Sequence, residues 1–243
     1  MVYACESPFA YSGFMQSALN IQSPPGYEMQ WFRGQGWCIA RCRSRAMEQA
    51  LEWDADLICI VDADHVYDPD VMVRLVERID KDGCGMVAPM IPMRGYVAKL
   101  GFAKPFDKIG WRFDDDLRAG RVEMKDGKII PIDPADGELQ RAELPSPGTL
   151  LFPASALGKL RKPWLYEFVD RGNFSIKGGG DTTFVRRLQV EAGLESWVDT
   201  TIEVKHLNVF EIDGSYPERF ADWAEPGVGD PRLCAVDRDK RLD

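Results

Sequence analysis

In the first part of the chain, short apolar runs alternate with segments whose apolar residues recur at helical spacing. Short apolar runs predict strands, and they occur at residues 2–5, 27–32, 57–61 and 83–89. Apolar residues at helical spacing separate these runs, and they predict helices that begin at Ser7-Pro8, at residue 38 and at Asp68-Pro69. Strands that alternate with helices form right-handed βαβ units. We therefore predict an α/β fold whose central sheet is mostly parallel and is flanked by helices.

The second half of the chain departs from this alternation. Residues 121–133 place an Asp-Gly turn between two alternating segments, which predicts a hairpin. Further elements are predicted as a strand at 150–152, a short helix at 154–161, a helix that Asp181 caps and a strand at 196–204. From residue 213 the chain is rich in proline, glycine and charge. We predict one domain over residues 1–212 and a C-terminal tail over residues 213–243.

Composition narrows the class of protein. The net charge is −9, which disfavours general binding to nucleic acid. No apolar run approaches the roughly 20 residues of a membrane span, and the N-terminus lacks the basic region of a signal peptide. The six cysteines are scattered and are expected to be reduced thiols. We therefore expect a cytoplasmic protein without a membrane partner.

Two carboxylates, Asp62 and Asp64, directly follow the apolar run 57–61, which is typical of a strand buried on both faces. Ligands bind at the carboxyl ends of strands in open parallel sheets, and two acids this close repel each other unless a cation holds them. We predict a divalent-metal site, with His206 as a third ligand because it ends a late strand. An imidazole ligand favours Mn²⁺, with Mg²⁺ as the alternative. The competing interpretation is a turn cap, a solvated acid and a surface histidine.

Three arginines, Arg41, Arg43 and Arg45, lie in the first half of the predicted helix 38–53. Positive charge is unfavourable near a helix N-terminus. A diphosphate would relieve this, because guanidinium groups bind phosphate oxygens in pairs. The alternative is a solvated basic face.

A fourth feature is Asp181, which follows three glycines at a predicted helix start. A carboxylate at a helix N-terminus stays ionised, and it can act as a general base toward an acceptor hydroxyl. The alternative is a plain helix cap, which explains the aspartate but not the three glycines.

Several segments occur in the order found in one enzyme family. They are Arg43-Ser44-Arg45-Ala46, Asp54-Ala55-Asp56, Asp62-Ala63-Asp64, Pro147-Gly148-Thr149-Leu150-Leu151-Phe152, Gly180-Asp181-Thr182-Thr183-Phe184, and Trp197-Val198-Asp199-Thr200 before His206. On these segments the chain resembles the inverting nucleotide-sugar glycosyltransferases of family 2, in particular their short bacterial and phage members. The resemblance spans about residues 2–210 and implies a single GT-A-like domain.

The resemblance implies a role for each acidic motif. Asp62 and Asp64 form the Asp-x-Asp motif that binds the divalent metal and the ribose or diphosphate of the donor. His206 completes the metal shell, and Asp181 is the catalytic base. One departure is that the family commonly has Glu-Asp where this chain has Gly180-Asp181.

A second departure concerns the arginine helix. The usual Arg-Asn of the family reads Arg43-Ser44 here, so it stays open which of Arg41, Arg43 and Arg45 contacts the nucleotide. Glu6 and Ser7, at the end of the first strand, are expected to hold the base and ribose of the donor.

We therefore expect a metal-dependent glycosyltransferase that moves a sugar from a nucleoside-diphosphate sugar to an acceptor hydroxyl with inversion. One alternative is a catalytically inactive nucleotide-sugar-binding module. Another is a sugar nucleotidyltransferase, although its glycine-rich basic signature is missing after the first strand.

The acceptor is expected to be a glycan, a protein, a small molecule or a hydroxymethylated base in phage DNA. The DNA interpretation depends on a local basic rim in the second half of the chain. Its members are Arg112, Arg118, Arg121, Arg141, Arg161 and Lys162.

Overall fold

The structure is a computed structural model, and it describes residues 1–4, 11–34, 39–91, 109–112, 121–124, 134–142, 145–165, 180–207 and 211–212. Outside these ranges lie Glu6, Ser7, Arg118, the Asp126-Gly127 turn and the predicted tail 213–243.

A seven-stranded mixed sheet forms the centre of the fold. Its spatial order is β2 (Phe32–Gly34), β1 (Val2–Ala4), β3 (Leu57–Asp62), β9 (Thr149–Pro153), β5 (Met86–Met90), β10 (Ser196–Glu203) and β8 (Leu139–Arg141). All of these strands run in one direction except β9 and β8, which are antiparallel to their neighbours. The predicted mostly parallel sheet is therefore confirmed, with β9 inserted between β3 and β5.

Helices cover both faces of this sheet. They are α1 (Ser12–Asn20), α2 (Ile39–Glu52), α3 (Val71–Asp80) and α4 (Gly180–Val190). Alternate residues of β3 enter two separate cores, because successive side chains of a strand point to opposite faces. Ile58 and Ile60 pack with α2 and α4, whereas Cys59 and Val61 pack with α1 and α3. This three-layer arrangement confirms the predicted α/β fold.

A small antiparallel sheet lies next to the carboxyl end of β3. Its order is β12 (Glu211–Ile212), β11 (Lys205–Leu207) and β4 (His65–Val66). A further pair joins β6 (Ile109–Arg112) to β7 (Arg121–Met124). Short 3-10 helices cover Pro134–Asp136 and Ala154–Lys159, the second within the predicted helix 154–161. No helix of the described residues is long and apolar enough to cross a membrane.

Several predicted element boundaries differ from the structure. Helix α1 begins at Ser12 because Tyr11 has an extended backbone, with φ −62° and ψ 135°. The strand predicted at 27–32 lies instead at Phe32–Gly34, so the two overlap only at Phe32. Its partner β1 begins at Val2, and the Phe32 N–H already donates to the carbonyl of Met1, so residues before Phe32 have no strand to pair with.

The starts of two other helices also differ from the sequence prediction. The residue that precedes α3 is Asp70 rather than Asp68 or Pro69. Helix α4 begins at Gly180, so Asp181 lies in its first turn and is not the cap. The predicted strand at the start of 121–133 is present as β7, but its described partner is the upstream strand β6.

Candidate active site

Asp62 ends β3 at the carboxyl edge of the parallel strands, and a buried arginine holds it. It continues the face of β3 that carries Ile58 and Ile60, and this face packs against α2. Arg43 of α2 is 1% exposed, and its Nη2 donates to Asp62 Oδ1 in an ion pair. The side chain of Asp62 is 25% exposed, so the acid of this pair reaches solvent whereas the base does not.

The electrostatic balance at Asp62 has opposing contributions. Burial raises the pKa of this carboxyl above its usual value. The Arg43 guanidinium acts in the opposite direction, and the negative charge of Asp64 adds to the rise. The neighbouring acid therefore makes the ionised form of Asp62 less favourable, which is the condition that a bound cation would relieve.

Gly148 brings the start of β9 into direct contact with this acid. The N–H of Asp62 donates to the Gly148 carbonyl at 2.8 Å. A Cβ at position 148 would lie 2.8 Å from Asp62 Oδ2 and 2.7 Å from Cε1 of His65. Glycine is therefore required here by close approach.

Asp64 and His206, the two predicted metal ligands, are brought together by the small sheet. The N–H of Leu207 donates to the Asp64 carbonyl at 2.7 Å, which fixes β11 beside the turn that carries Asp64. His206 Nε2 lies 3.6 Å from Asp64 Oδ2. Two ligands about 2.1 Å from a shared ion lie about 3.0 to 4.2 Å apart, so this pair fits a divalent metal.

His65 joins this pair, although sequence analysis assigned it no role. It is 2% exposed and lies opposite His206 in the β4–β11 register. Its Nε2 is 3.8 Å from Asp64 Oδ1, and one ligand atom from each of Asp64, His65 and His206 lies within 4.8 Å of the others. The only sequence signal for this histidine is its position directly after the Asp-x-Asp motif.

The remaining predicted site residues are placed only in part. Arg41 and Arg45 are exposed, on a different side of α2 from Arg43. Asp181 lies in the first turn of α4. Glu6 and Ser7 lie outside the described residues, but β1, which leads to them, pairs its Ala4 with Asp62.

Asp199, within the Trp197–Thr200 motif, lies away from these groups and is fully buried. Its Oδ2 accepts from Arg78 Nε at 2.7 Å. Its Oδ1 accepts from the N–H of Thr201 at 2.8 Å and from the Thr201 hydroxyl at 2.5 Å. Both oxygens are thus engaged by the protein itself, which is typical of a structural carboxylate.

Comparisons with known proteins bear on the fold and on the class of reaction. Residues 34–123, which include Arg43, Asp62 and Asp64, match a family model described as glycosyl transferase family 2. No match was found among curated proteins. The chain is similar to a solved structure described as A197 from STIV, with a TM-score of 0.52 and 13% identity over 85% of this chain and 84% of that one. At this identity the likeness shows the fold alone, whereas the family match supports a glycosyl transfer function.

Proposed function

We propose that the chain is a metal-dependent, inverting glycosyltransferase that uses a nucleoside-diphosphate sugar as donor. The observation that carries the proposal is the approach of His206 to Asp64 next to Asp62, which Arg43 holds at the carboxyl edge of the sheet. Open α/β folds bind nucleotides at this edge. The match of residues 34–123 to glycosyl transferase family 2 supports the same reaction class.

The proposed metal ligands are Asp64 and His206, with Asp62 contacting either the ion or the ribose. Mn²⁺ is the proposed cofactor because the donor set includes imidazole, and Mg²⁺ is the alternative. When bound, the metal supplies Lewis-acid stabilisation of the departing diphosphate. Arg43 positions Asp62, because its guanidinium is buried against that carboxylate and cannot swing toward solvent.

Donor phosphates are proposed to meet the exposed arginines of α2. Arg41 lies in the first turn of this helix, and Arg45 follows one turn later. Guanidinium groups bind phosphate oxygens in pairs, so either side chain can neutralise part of the diphosphate charge. Glu6 and Ser7 remain the proposed contacts to the base and ribose.

Asp181 is the proposed catalytic base. It accepts the proton of the acceptor hydroxyl while the hydroxyl oxygen attacks the anomeric carbon opposite the diphosphate. The bond from that carbon to the diphosphate oxygen breaks, and the configuration inverts. Helix α4 leads into β10, which runs parallel to β5, and this order supports a first turn of α4 at the carboxyl edge of the sheet.

The test is incubation of the full chain with a panel of nucleoside-diphosphate sugars and Mn²⁺ in the absence of acceptor. We expect slow release of nucleoside diphosphate from one donor, because water replaces the acceptor. Chelation by EDTA and the substitution Asp64→Ala should both abolish this release. Binding without turnover would indicate the inactive module, and release of pyrophosphate from a sugar phosphate and a nucleoside triphosphate would indicate a nucleotidyltransferase.

A narrower proposal concerns the acceptor: a hydroxymethylated base in phage DNA is one of four proposed classes, beside a glycan, a protein and a small molecule. Two members of the predicted basic rim have acidic partners, since Arg141 pairs with Glu195 at 3.0 Å and Lys162 pairs with Glu48 at 2.8 Å. These pairs reduce the positive charge that the rim offers to DNA. Labelled duplex DNA that binds only at low salt would support the class. Absence of binding at low salt would leave the glycan, protein and small-molecule classes.

The cytoplasm is the proposed compartment. The described cysteines Cys42, Cys59 and Cys84 are buried free thiols, which is typical of proteins in reducing compartments. Burial raises the pKa of Cys59 to about 12 and that of Cys84 to about 11, so both stay protonated at neutral pH. Such thiols are poor nucleophiles, and we assign them no catalytic role.

A further inference from the structure

We propose that His65 is a third protein ligand of the metal, so that the site is a two-histidine, one-carboxylate centre that selects transition metals over Mg²⁺. The inference rests on the proposed function for the presence of a metal, and it adds a ligand and a selectivity that the Asp-x-Asp motif and the late histidine do not supply.

The distances support a shared ion among the three side chains. His65 Nε2 lies 3.8 Å from Asp64 Oδ1, and His206 Nε2 lies 3.6 Å from Asp64 Oδ2. Ligands about 2.1 Å from one ion lie about 3.0 to 4.2 Å apart, so each histidine–carboxylate distance falls in this range. The ligand atoms of all three residues lie within 4.8 Å of one another, so a bound ion would need only a small further approach of the side chains. The two imidazole rings are nearly perpendicular, with centroids 4.7 Å apart. The Nε2 atoms of both histidines therefore approach the same carboxylate.

The second ring nitrogen of His65, Nδ1, has hydrogen-bond partners of the kind that support a metal-binding histidine. Its Nδ1 lies 3.2 Å from the hydroxyl oxygen of Tyr67 and 3.2 Å from Thr149 Oγ1. The Tyr67 hydroxyl can donate its own proton to the Asp62 carbonyl at 3.4 Å, which leaves its oxygen to accept from Nδ1. A proton on Nδ1 leaves the lone pair on Nε2, the atom that faces Asp64. Such hydrogen bonds to the far nitrogen fix the tautomer and orientation of metal ligands.

The surrounding backbone keeps the ring in this position. His65 pairs with His206 across two antiparallel strands, and Gly148 lies directly against its Cε1. Tyr67 and Thr149 are 3% and 1% exposed, so water does not compete with them for Nδ1. A histidine that served only to fill the core would not need Nε2 directed at a partly exposed carboxylate.

A second imidazole changes which metal the site prefers. Mg²⁺ prefers oxygen ligands, whereas imidazole suits the later first-row ions. Affinity should therefore rise from Mg²⁺ through Mn²⁺ to Co²⁺ and Zn²⁺. With one histidine and two carboxylates the difference between Mg²⁺ and Mn²⁺ would be smaller.

The test measures metal binding by the full chain without any donor. We expect pulsed electron paramagnetic resonance of bound Mn²⁺ to detect two coordinated imidazole nitrogens, and we expect Mn²⁺ to bind at least about 10-fold more tightly than Mg²⁺. In His65→Asn the amide can replace Nδ1 toward Tyr67 and Thr149, but nothing replaces Nε2. This variant should show one imidazole nitrogen and about 10-fold weaker Mn²⁺ binding.

The outcomes separate this inference from the proposed function. A single imidazole nitrogen in the unsubstituted protein, no Mn²⁺ binding, or equal affinity for Mg²⁺ and Mn²⁺ would overturn the role of His65, even if a donor is turned over. Two imidazole nitrogens would support it even if no donor is turned over, in which case the proposed function fails alone. The measurement on the unsubstituted protein needs no variant, so it decides the matter even if His65→Asn does not fold.

Discussion

Two arginine–carboxylate pairs lie on opposite faces of the same sheet, and they bury opposite partners. At the end of β3, Arg43 is 1% exposed and Asp62 is 25% exposed. In β10, Asp199 is 0% exposed and Arg78 is 23% exposed. The first pair buries the base and presents the acid, whereas the second buries the acid and presents the base.

This difference separates a functional carboxylate from a structural one. Asp199 lies where the register between β10 and β5 shifts, and its two oxygens are engaged by Arg78 and Thr201. Through Arg78, Asp199 links α3 to the irregular part of β10, and neither of its oxygens is left for a ligand. Asp62 is oriented by Arg43 on one side and stays partly exposed beside Asp64. The family resemblance runs through both segments, and the burial of each partner indicates which acid can meet a substrate.

The first region is the Arg43–Asp62 pair together with the neighbouring Asp64. The largest expected effect is on catalysis at this region. Asp64→Ala should lower donor turnover about 1000-fold, because a metal Lewis acid supplies several kcal/mol of transition-state stabilisation. Its free energy of unfolding should not fall, since removal of Asp64 relieves repulsion on Asp62. Release of nucleoside diphosphate and thermal unfolding measure the two quantities. The exposed acid Asp68, substituted in the same way, is the control that should keep full turnover; full turnover by Asp64→Ala would contradict the assignment.

The second region is the Arg78–Asp199 pair. A substitution there should lower the free energy of unfolding and leave metal binding unchanged. Asp199→Ala removes the buried acceptor shared by Arg78 and by the N–H and hydroxyl of Thr201, and it should lower the free energy of unfolding by about 2 kcal/mol. Mn²⁺ affinity should stay within about 2-fold of the unsubstituted protein, because Asp199 engages only groups of the fold. Denaturant unfolding and metal titration are the measurements.

A double-mutant cycle tests the cause of that loss. Arg78→Ala, Asp199→Ala and the double variant should give a coupling of about 1 kcal/mol or more between the two side chains. Additive losses would show that the pair does not stabilise the fold, and a large drop in Mn²⁺ affinity in Asp199→Ala would show that the two regions are not distinct.

A smaller effect is expected from the glycine that contacts the first region. In Gly148→Ala the new methyl group would lie 2.8 Å from Asp62 Oδ2 and 2.7 Å from His65 Cε1, so both side chains must move. We expect Mn²⁺ affinity to fall about 10-fold, as it does when the support of a metal ligand is displaced. Gly158→Ala is a matched control, because nothing lies within 4 Å of its Cβ. Equal affinities in the two variants would contradict the close approach.

Much of the first region was accessible from the sequence. The apolar run of β3 places Asp62 on the face of Ile58 and Ile60 by simple alternation. The helical spacing of buried residues also indicates which of the three arginines faces the sheet. Arg43 shares its spacing with the buried residues Ala46 and Met47, which makes it the arginine that faces the sheet.

The rest depends on pairings between distant segments. His65 meets His206 only because a two-residue strand pairs with a three-residue strand, and strands this short carry almost no periodicity. Gly148 reaches Asp62 only because β9 enters the sheet antiparallel between β3 and β5. A βαβ interpretation of the sequence places no strand there. The same limit explains why the partners of Asp199, which come from α3 and from the irregular end of β10, were not predicted from the sequence.

The smallest expected effect tests how the structural carboxylate is supported. Arg74 Nη2 donates to the Thr201 hydroxyl at 2.6 Å, and that hydroxyl in turn donates to Asp199 Oδ1. Arg74→Ala removes one exposed donor at the edge of this network, while Arg78 and the Thr201 N–H still hold Asp199. The loss in the free energy of unfolding should therefore be about 0.5 kcal/mol, measured by denaturant unfolding beside Asp199→Ala. A loss as large as that of Asp199→Ala would mean that the outer arginine organises the cluster. The structural role would then belong to the chain from Arg74 through Thr201 rather than to the Arg78–Asp199 pair.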